Sequence, residues 1–261
     1  MLHIDAHGGS KLKNKYLENL NKIEFVVTND CTGRCKHCSQ GDHRTCGEFI
    51  DPEIAASAVS RIARLYDIKT VMTFGGEPLL YPKAVYAVME TATSLGVAKR
   101  QVITNGYFTK DGQKMREIAE GLSKSGVNDL LISVDAFHQE TIPLGAVKGF
   151  ARAAKEQGIP TRLQPAWLVS PDHVNPYNEK TREILAAFAD LDIPTGNGNV
   201  IFPEGNALEY LEEYFADGAP ENPYEEDPRD IRCLSFSPNG DVLDGNVYKT
   251  DILEIIENYR A

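Results

Sequence analysis

Residues 24–38 read Glu-Phe-Val-Val-Thr-Asn-Asp-Cys-Thr-Gly-Arg-Cys-Lys-His-Cys. A β-rich run at 24–30 passes directly into a polar loop that carries Cys31, Cys35 and Cys38 within eight residues. Three thiolates on one loop, with Gly33 supplying flexibility, can hold three irons of a cubic iron-sulfur cluster and leave its fourth corner open to a substrate or cofactor. A zinc site or reduced structural cysteines are the alternatives. Structural zinc, however, usually takes four protein ligands in pairs, and no second pair follows here. The chain has five cysteines, an odd number, and a disulfide framework does not bunch them in this way.

From about residue 23 onward one unit repeats, a short β-rich run and then a longer amphipathic helix, with turn residues at each junction. Strands are expected at 24–30, 70–74, 100–105, 129–135, 162–169 and 199–202, and helices near 51–65, 82–95, 110–124, 142–157 and 178–191. Gly96, Gly126 and Gly158 each follow a helix closely. Strict alternation implies an α/β fold with a parallel sheet and right-handed crossovers. The spacing suits a barrel-like or an open doubly wound sheet. In both, ligands gather at the carboxyl ends of the strands. Polar motifs accumulate there: Asn29-Asp30-Cys31, Gly75-Gly76-Glu77-Pro78, Thr104-Asn105-Gly106, Ser133-Val134-Asp135 and Pro203-Glu204-Gly205. Past residue 205 come an acidic helix (206–215), a Pro/Glu/Asp-rich linker (218–230), a hairpin opened by Cys233 around Pro238-Asn239-Gly240, and a final helix (250–259). The chain thus divides into an N-terminal extension (1–22), a strand-helix body (23–205) and a C-terminal cap (206–261).

With 261 residues, 42% of them hydrophobic and 25% charged, the chain can bury a sizeable core. Its net charge of −11 works against attraction to nucleic-acid phosphates or anionic lipid. No apolar run approaches the roughly 18 residues of a membrane span, and the first 15 residues lack the apolar stretch of a secretory signal, so a cytoplasmic location is expected.

The cysteine spacing after the first strand, with His37 at the usually aromatic position before the third cysteine, resembles the signature of the radical S-adenosylmethionine (SAM) enzymes. Gly75-Gly76-Glu77-Pro78 at the end of the second strand is similar to that family's glycine-rich motif. The resemblance covers roughly residues 23–205. It implies a partial (β/α)6 barrel of the TIM type, one [4Fe-4S] cluster on Cys31, Cys35 and Cys38, and SAM chelated at the open iron. Reductive cleavage of SAM would then give a 5′-deoxyadenosyl radical that takes a hydrogen atom from an unactivated carbon. A low-potential electron donor, a ferredoxin or flavodoxin, is implied as partner.

The resemblance also suggests cofactor contacts. The Gly75-Gly76 backbone and Glu77 would meet the methionyl ammonium, beside Pro78. Ser133 and Asp135 would face the ribose or carboxylate from one side of the fourth strand. On the fifth strand, Arg162 or Gln164 would meet that carboxylate. Thr104 and Asn105 close the third strand in an equivalent place or merely form a turn, and His37 would contact adenine. His138 faces substrate or caps the next helix. Trp167, Tyr210, Tyr214 and Phe215 read as packing.

Cys46 and Cys233 remain. Cys233 looks like the opening of an auxiliary-cluster extension that some relatives carry, but the other ligands are missing, so one cluster is expected. Either thiol could donate a hydrogen atom to a substrate radical, or be a buried apolar residue. The expected activity is hydrogen abstraction from a small metabolite or peptide. The alternatives are an activase that installs a glycyl radical on a partner enzyme, and a non-catalytic iron-sulfur or SAM-binding protein.

Overall fold

Ile23 and Phe25 lie on one side of β1 (Lys22–Val26) and are fully buried, so the strand that feeds the cysteine loop is anchored by its apolar face. The computed structural model describes residues 14–41, 47–216 and 218–261. Cys46 lies outside the described residues. β1 pairs in parallel with β2 (Thr70–Phe74), with Lys22 opposite Thr70 and Val26 opposite Phe74. β3 (Lys99–Thr104), β4 (Asp129–Ser133) and β5 (Thr161–Gln164) follow outward in chain order, each parallel to the last. From β1 to β5 this order never reverses, whereas a doubly wound sheet reverses at its switch point; these five strands are singly wound, as a barrel requires.

The helices begin where local chemistry satisfies their first N–H groups. Asp51 accepts the N–H groups of Glu53 and Ile54 at α1 (Pro52–Ala63), and Asp111 those of Gln113 and Lys114 at α3 (Gly112–Lys124). Pro82 opens α2 (Pro82–Ser94), where its missing N–H costs nothing. α4 (Ala136–Gln139) is a single turn after β4, and α5 (Leu144–Glu156) buries Val147, Phe150, Ala151 and Ala154 at helical spacing. α1 lies against α2, and α3 against α5.

Several strand expectations change: the run at 24–30 becomes β1 at Lys22–Val26, and that at 129–135 ends at Ser133. The run at 162–169 breaks into β5 and β6 (Ala166–Trp167), because Pro165 has no N–H to donate to a ladder. After α6 (Pro176–Ala186), the run at 199–202 shortens to β7 (Asn199–Val200), which pairs in parallel with β6 as a separate ladder linked to β5 by a Leu163–Thr195 bridge. α7 (Asn206–Tyr210) follows it.

The C-terminal hairpin is also corrected. β8 (Cys233–Phe236) joins the main sheet, parallel to the outer side of β1, and Phe236 stacks on Phe25 with ring centroids 4.7 Å apart. Burial of Leu234 and Phe236 outweighs pairing with the returning chain. The Pro238-Asn239-Gly240 turn does form, with Gly240 N–H donating to the Ser237 carbonyl (2.9 Å). The antiparallel ladder lies beyond it, between β9 (Asp241–Val242) and β10 (Gly245–Asn246). α8 (Ile252–Asn258) then runs beside α1, where Asp251 meets Arg61 at 2.9 Å, and Asn14 Nδ2 donates to the carbonyls of Ile256 and Tyr259. The C-terminal segment thus widens the sheet at its β1 edge.

Candidate active site

The loop after β1 crosses the loop after β2 at backbone distance. Gly76 N–H donates to the Thr28 carbonyl and Glu77 N–H to the Asp30 carbonyl, both at 2.8 Å. A side chain on Gly76 would put its Cβ 2.2 Å from the Asp30 oxygen, and one on Gly75, at φ 127°, would stand 2.7 Å from the Thr28 oxygen. Only glycine permits this crossing. Asp30 is further held by the Tyr81 hydroxyl (2.6 Å) and Gly47 N–H (3.0 Å) on Oδ2. The cysteine loop therefore starts from a fixed stem.

Cys31, Cys35 and Cys38 all line one cleft, together with Gly33, His37, Phe74, Gly75, Gly76, Ile103, Thr104, Asn105, Ser133 and His138. The cleft lies at the carboxyl ends of β2, β3 and β4. Burial pushes the Cys31 thiol up to about 11, partly offset by Gly33 N–H, which donates to its sulfur at 3.4 Å. It also pushes Cys35 and Cys38 upward, Cys38 against N–H groups of Gln40 and Gly41. Neutral thiols are thus favoured until a metal supplies positive charge. Asn105 Nδ2 approaches the Cys31 sulfur at 3.5 Å and donates to Thr32 Oγ1 at 3.1 Å, so its amide supports the loop.

Glu77 departs from expectation. Its side chain has no exposure: Oε1 accepts Leu79 N–H (3.0 Å) and the Thr104 hydroxyl (2.7 Å), and Oε2 accepts Asn105 N–H (2.8 Å). It sits behind the cleft and joins the ends of β2 and β3. Burial pushes its carboxyl up to about 7, against the pull of those three donors. Pro78 is buried at the start of the following turn.

Asp135 likewise stands behind the wall. Its Oδ1 accepts His138 N–H (2.9 Å), capping α4, while Oδ2 meets His138 Nδ1 (2.8 Å) and Ala166 N–H (3.0 Å). Burial alone would raise its carboxyl, but His138 and the backbone donors hold it at about 2. The helix cap is therefore Asp135, and His138, oriented by it, lines the cleft. The His37 ring lies 4.8 Å from that of His138 and 5.0 Å from Phe137, and burial lowers it to about 4. Its Nδ1 is buried with no hydrogen-bond partner among the described residues, a polar atom suited to a ligand.

Three expected residues lie elsewhere. Gln164 Nε2 donates to Asn199 Oδ1 (3.3 Å), outside the cleft lining. Arg162 is engaged by Asp129 at 2.8 Å, at the opposite end of the sheet. Cys233 stands opposite Lys22, the first residue of β1, roughly 20 Å along the strand from the cysteine loop. Trp167 is buried and donates to the Asn197 carbonyl (2.9 Å); Tyr214 and Phe215 pack on a small cluster around Phe137 and Leu168, whereas Tyr210 is exposed. No described residue of 206–261 lines the cleft. Sequence reasoning missed Asn206, whose only signal was its place after a strand-end Pro-Glu-Gly.

A singly wound β/α sheet with three thiols above the end of its first strand defines an iron-sulfur enzyme of the partial-barrel class. A family model for the Radical SAM superfamily matches residues 25–217, and the chain belongs to that superfamily. Its members use a [4Fe-4S] cluster and SAM. Among curated relatives, a probable GTP 3′,8-cyclase of Saccharolobus islandicus is 25% identical over 214 residues, covering 75% of this chain and 64% of that protein. The probable GTP 3′,8-cyclase of Methanocaldococcus jannaschii is 24% identical over 130 residues, 49% of this chain and 41% of its own length. The chain thus spans less than two thirds of these relatives. Among solved structures, Streptococcus suis SuiB bound to S-adenosylmethionine matches with a TM-score of 0.56 at 15% identity, over 94% of this chain and 67% of that one. The enzyme anSMEcpe with bound AdoMet matches at 0.57 and 14%, over 91% and 80%. These likenesses establish the partial barrel. No helix among the described residues is long and apolar enough to cross a membrane.

Proposed function

We propose that this enzyme abstracts a hydrogen atom from an unactivated carbon of a small metabolite or peptide that enters through the open end of the barrel. When bound, the cluster and SAM supply the oxidant, a 5′-deoxyadenosyl radical, after one electron arrives from a ferredoxin or flavodoxin. The observation that carries the reading is the cleft itself, with three cysteines on one wall and the ends of β2, β3 and β4 on the other. Its donor set fits the cofactors: Cys31, Cys35 and Cys38 offer three sulfurs to a cubane. The Gly75-Gly76 backbone, which lines the cleft, takes the methionyl ammonium. Ser133 serves the ribose or carboxylate, Thr104 and Asn105 close the same wall, and His37 Nδ1 turns to the adenine. Glu77 and Asp135 act one layer back, on the strand ends and on His138. His138 is the candidate for substrate contact.

Anaerobic incubation with dithionite and SAM tests this: release of 5′-deoxyadenosine is expected, with deuterium carried into it from labelled substrate. No 5′-deoxyadenosine from cluster-loaded protein would refute it.

A further inference from the structure

Asn206 reaches the cysteine loop from the other end of the barrel. Its backbone N–H donates to the Cys38 carbonyl at 2.9 Å, and its Nδ2 donates to the Cys35 carbonyl at 3.1 Å, across 171 residues of sequence. It is 9% exposed and does not line the cleft. Gly205 lets it come so near: at φ 54°, a Cβ there would stand 2.5 Å from the carbonyl oxygens of Cys38 and Ser39 and 2.7 Å from Gly41 N. Side chains of any other kind would push the loop away.

The cysteine loop has no regular structure to hold its ligands. Cys38 N–H donates to the Cys35 carbonyl (3.2 Å) and Gly41 N–H to the Cys38 carbonyl (3.1 Å), two consecutive turns closed by single bonds. Asn206 takes a second position on each of those two carbonyls. It thereby pins both turns, and the second and third sulfur ligands with them, to the start of α7, which follows the last strand of the barrel. Groups that orient metal ligands from the outer layer typically change metal affinity 10–100-fold when removed.

We propose that Asn206, seated by Gly205, is a positioning residue for the iron-sulfur cluster, bracing Cys35 and Cys38 through their carbonyls. This rests on the reading that the three cysteines hold the cluster. Asn206→Ala removes one brace and Gly205→Ala displaces the other. Asn222→Ala is the control: it frees Glu204, two residues before Asn206, from a 2.8 Å bond without touching the cysteine loop.

The experiment uses anaerobic holoprotein and reads the rate of cluster loss to an iron chelator, the cluster's midpoint potential and its EPR spectrum, alongside circular dichroism. Asn206→Ala and Gly205→Ala are expected to lose cluster about tenfold faster, with a shifted potential, while Asn222→Ala matches wild type. If Asn206→Ala fails to fold, Gly205→Ala decides. Wild-type retention and potential in a folded variant would overturn the proposal, as would equal loss in Asn222→Ala. A wild-type chain that takes up no cluster would bring down the underlying reading and this proposal together. A loaded wild type with unaffected variants would bring down this proposal alone.

Discussion

Replacing Glu77 by Gln should remove the pH dependence that this one carboxyl imposes on stability. Its ordinary value of 4.5 rises to about 7 in the folded chain, chiefly through burial. Between those values the folded chain keeps a proton that the unfolded chain has released, so stability falls as pH rises through the window. The full swing is about 3 kcal/mol, of which about 2 kcal/mol falls between about pH 5.5 and 8.5. Glutamine cannot ionise, but it must turn one amide N–H₂ toward a donor now bonded to Glu77, a fixed cost of about 1–3 kcal/mol at every pH. The variant should therefore gain on wild type by about 2 kcal/mol as pH rises from about 5.5 to 8.5. Urea unfolding of the cluster-free chain followed by circular dichroism reads this difference. A relative midpoint shift of about 0.7 M is expected for a slope near 3 kcal/mol/M. Parallel wild-type and variant curves across the pH range would mean that Glu77 is ionised throughout, and the account of its burial would be wrong.

Asp135→Asn should behave differently. The native carboxyl is held at about 2, so its contribution is complete above its unfolded value of 3.8 and lost only as pH falls through about 2. The variant's deficit, about 1–3 kcal/mol from leaving Ala166 N–H or His138 mispaired, should appear as a lower urea midpoint at about pH 7 in the same unfolding assay. In turnover, Asp135→Asn and His138→Asn should lower product yield at least about tenfold while 5′-deoxyadenosine still forms, measured by chromatography of both. Gly76→Ala should cost more than about 3 kcal/mol and reduce iron content, since its Cβ would meet the Asp30 carbonyl rather than a movable side chain. Cys233→Ala should leave product yield within about twofold of wild type, because that thiol sits at the wrong end of β1.

Much of this was legible in the chain because the signals were local. β2 falls at 70–74 as read, bounded by turn chemistry on both sides, and Asp51, Asp111 and Pro82 start helices where caps and prolines should. The three cysteines and the glycine pair each follow a strand, which places them at one end of any parallel sheet. Long-range burial was not legible. Glu77 reads as a ligand for a cation, and only the packed ends of β2 and β3 show that three backbone and hydroxyl donors already claim it. Ser133 and Asp135 share a strand periodicity, but the strand ends at Ser133 and Asp135 turns to cap the next helix. The Cys233 run alternates like a hairpin arm, yet Phe236 finds a better partner in Phe25, more than two hundred residues earlier. The Asn206 brace depends on a contact between the two ends of the barrel and leaves no local pattern.

The central claim is that Cys31, Cys35 and Cys38 hold a cubane with one iron left for SAM. Mössbauer spectroscopy of ⁵⁷Fe-reconstituted, anaerobic protein with and without SAM tests it directly. About four irons per chain are expected, one of them shifting its isomer shift on SAM addition while the other three stay unchanged. Zinc in place of iron, or a cubane whose four irons are all indifferent to SAM, would contradict the account.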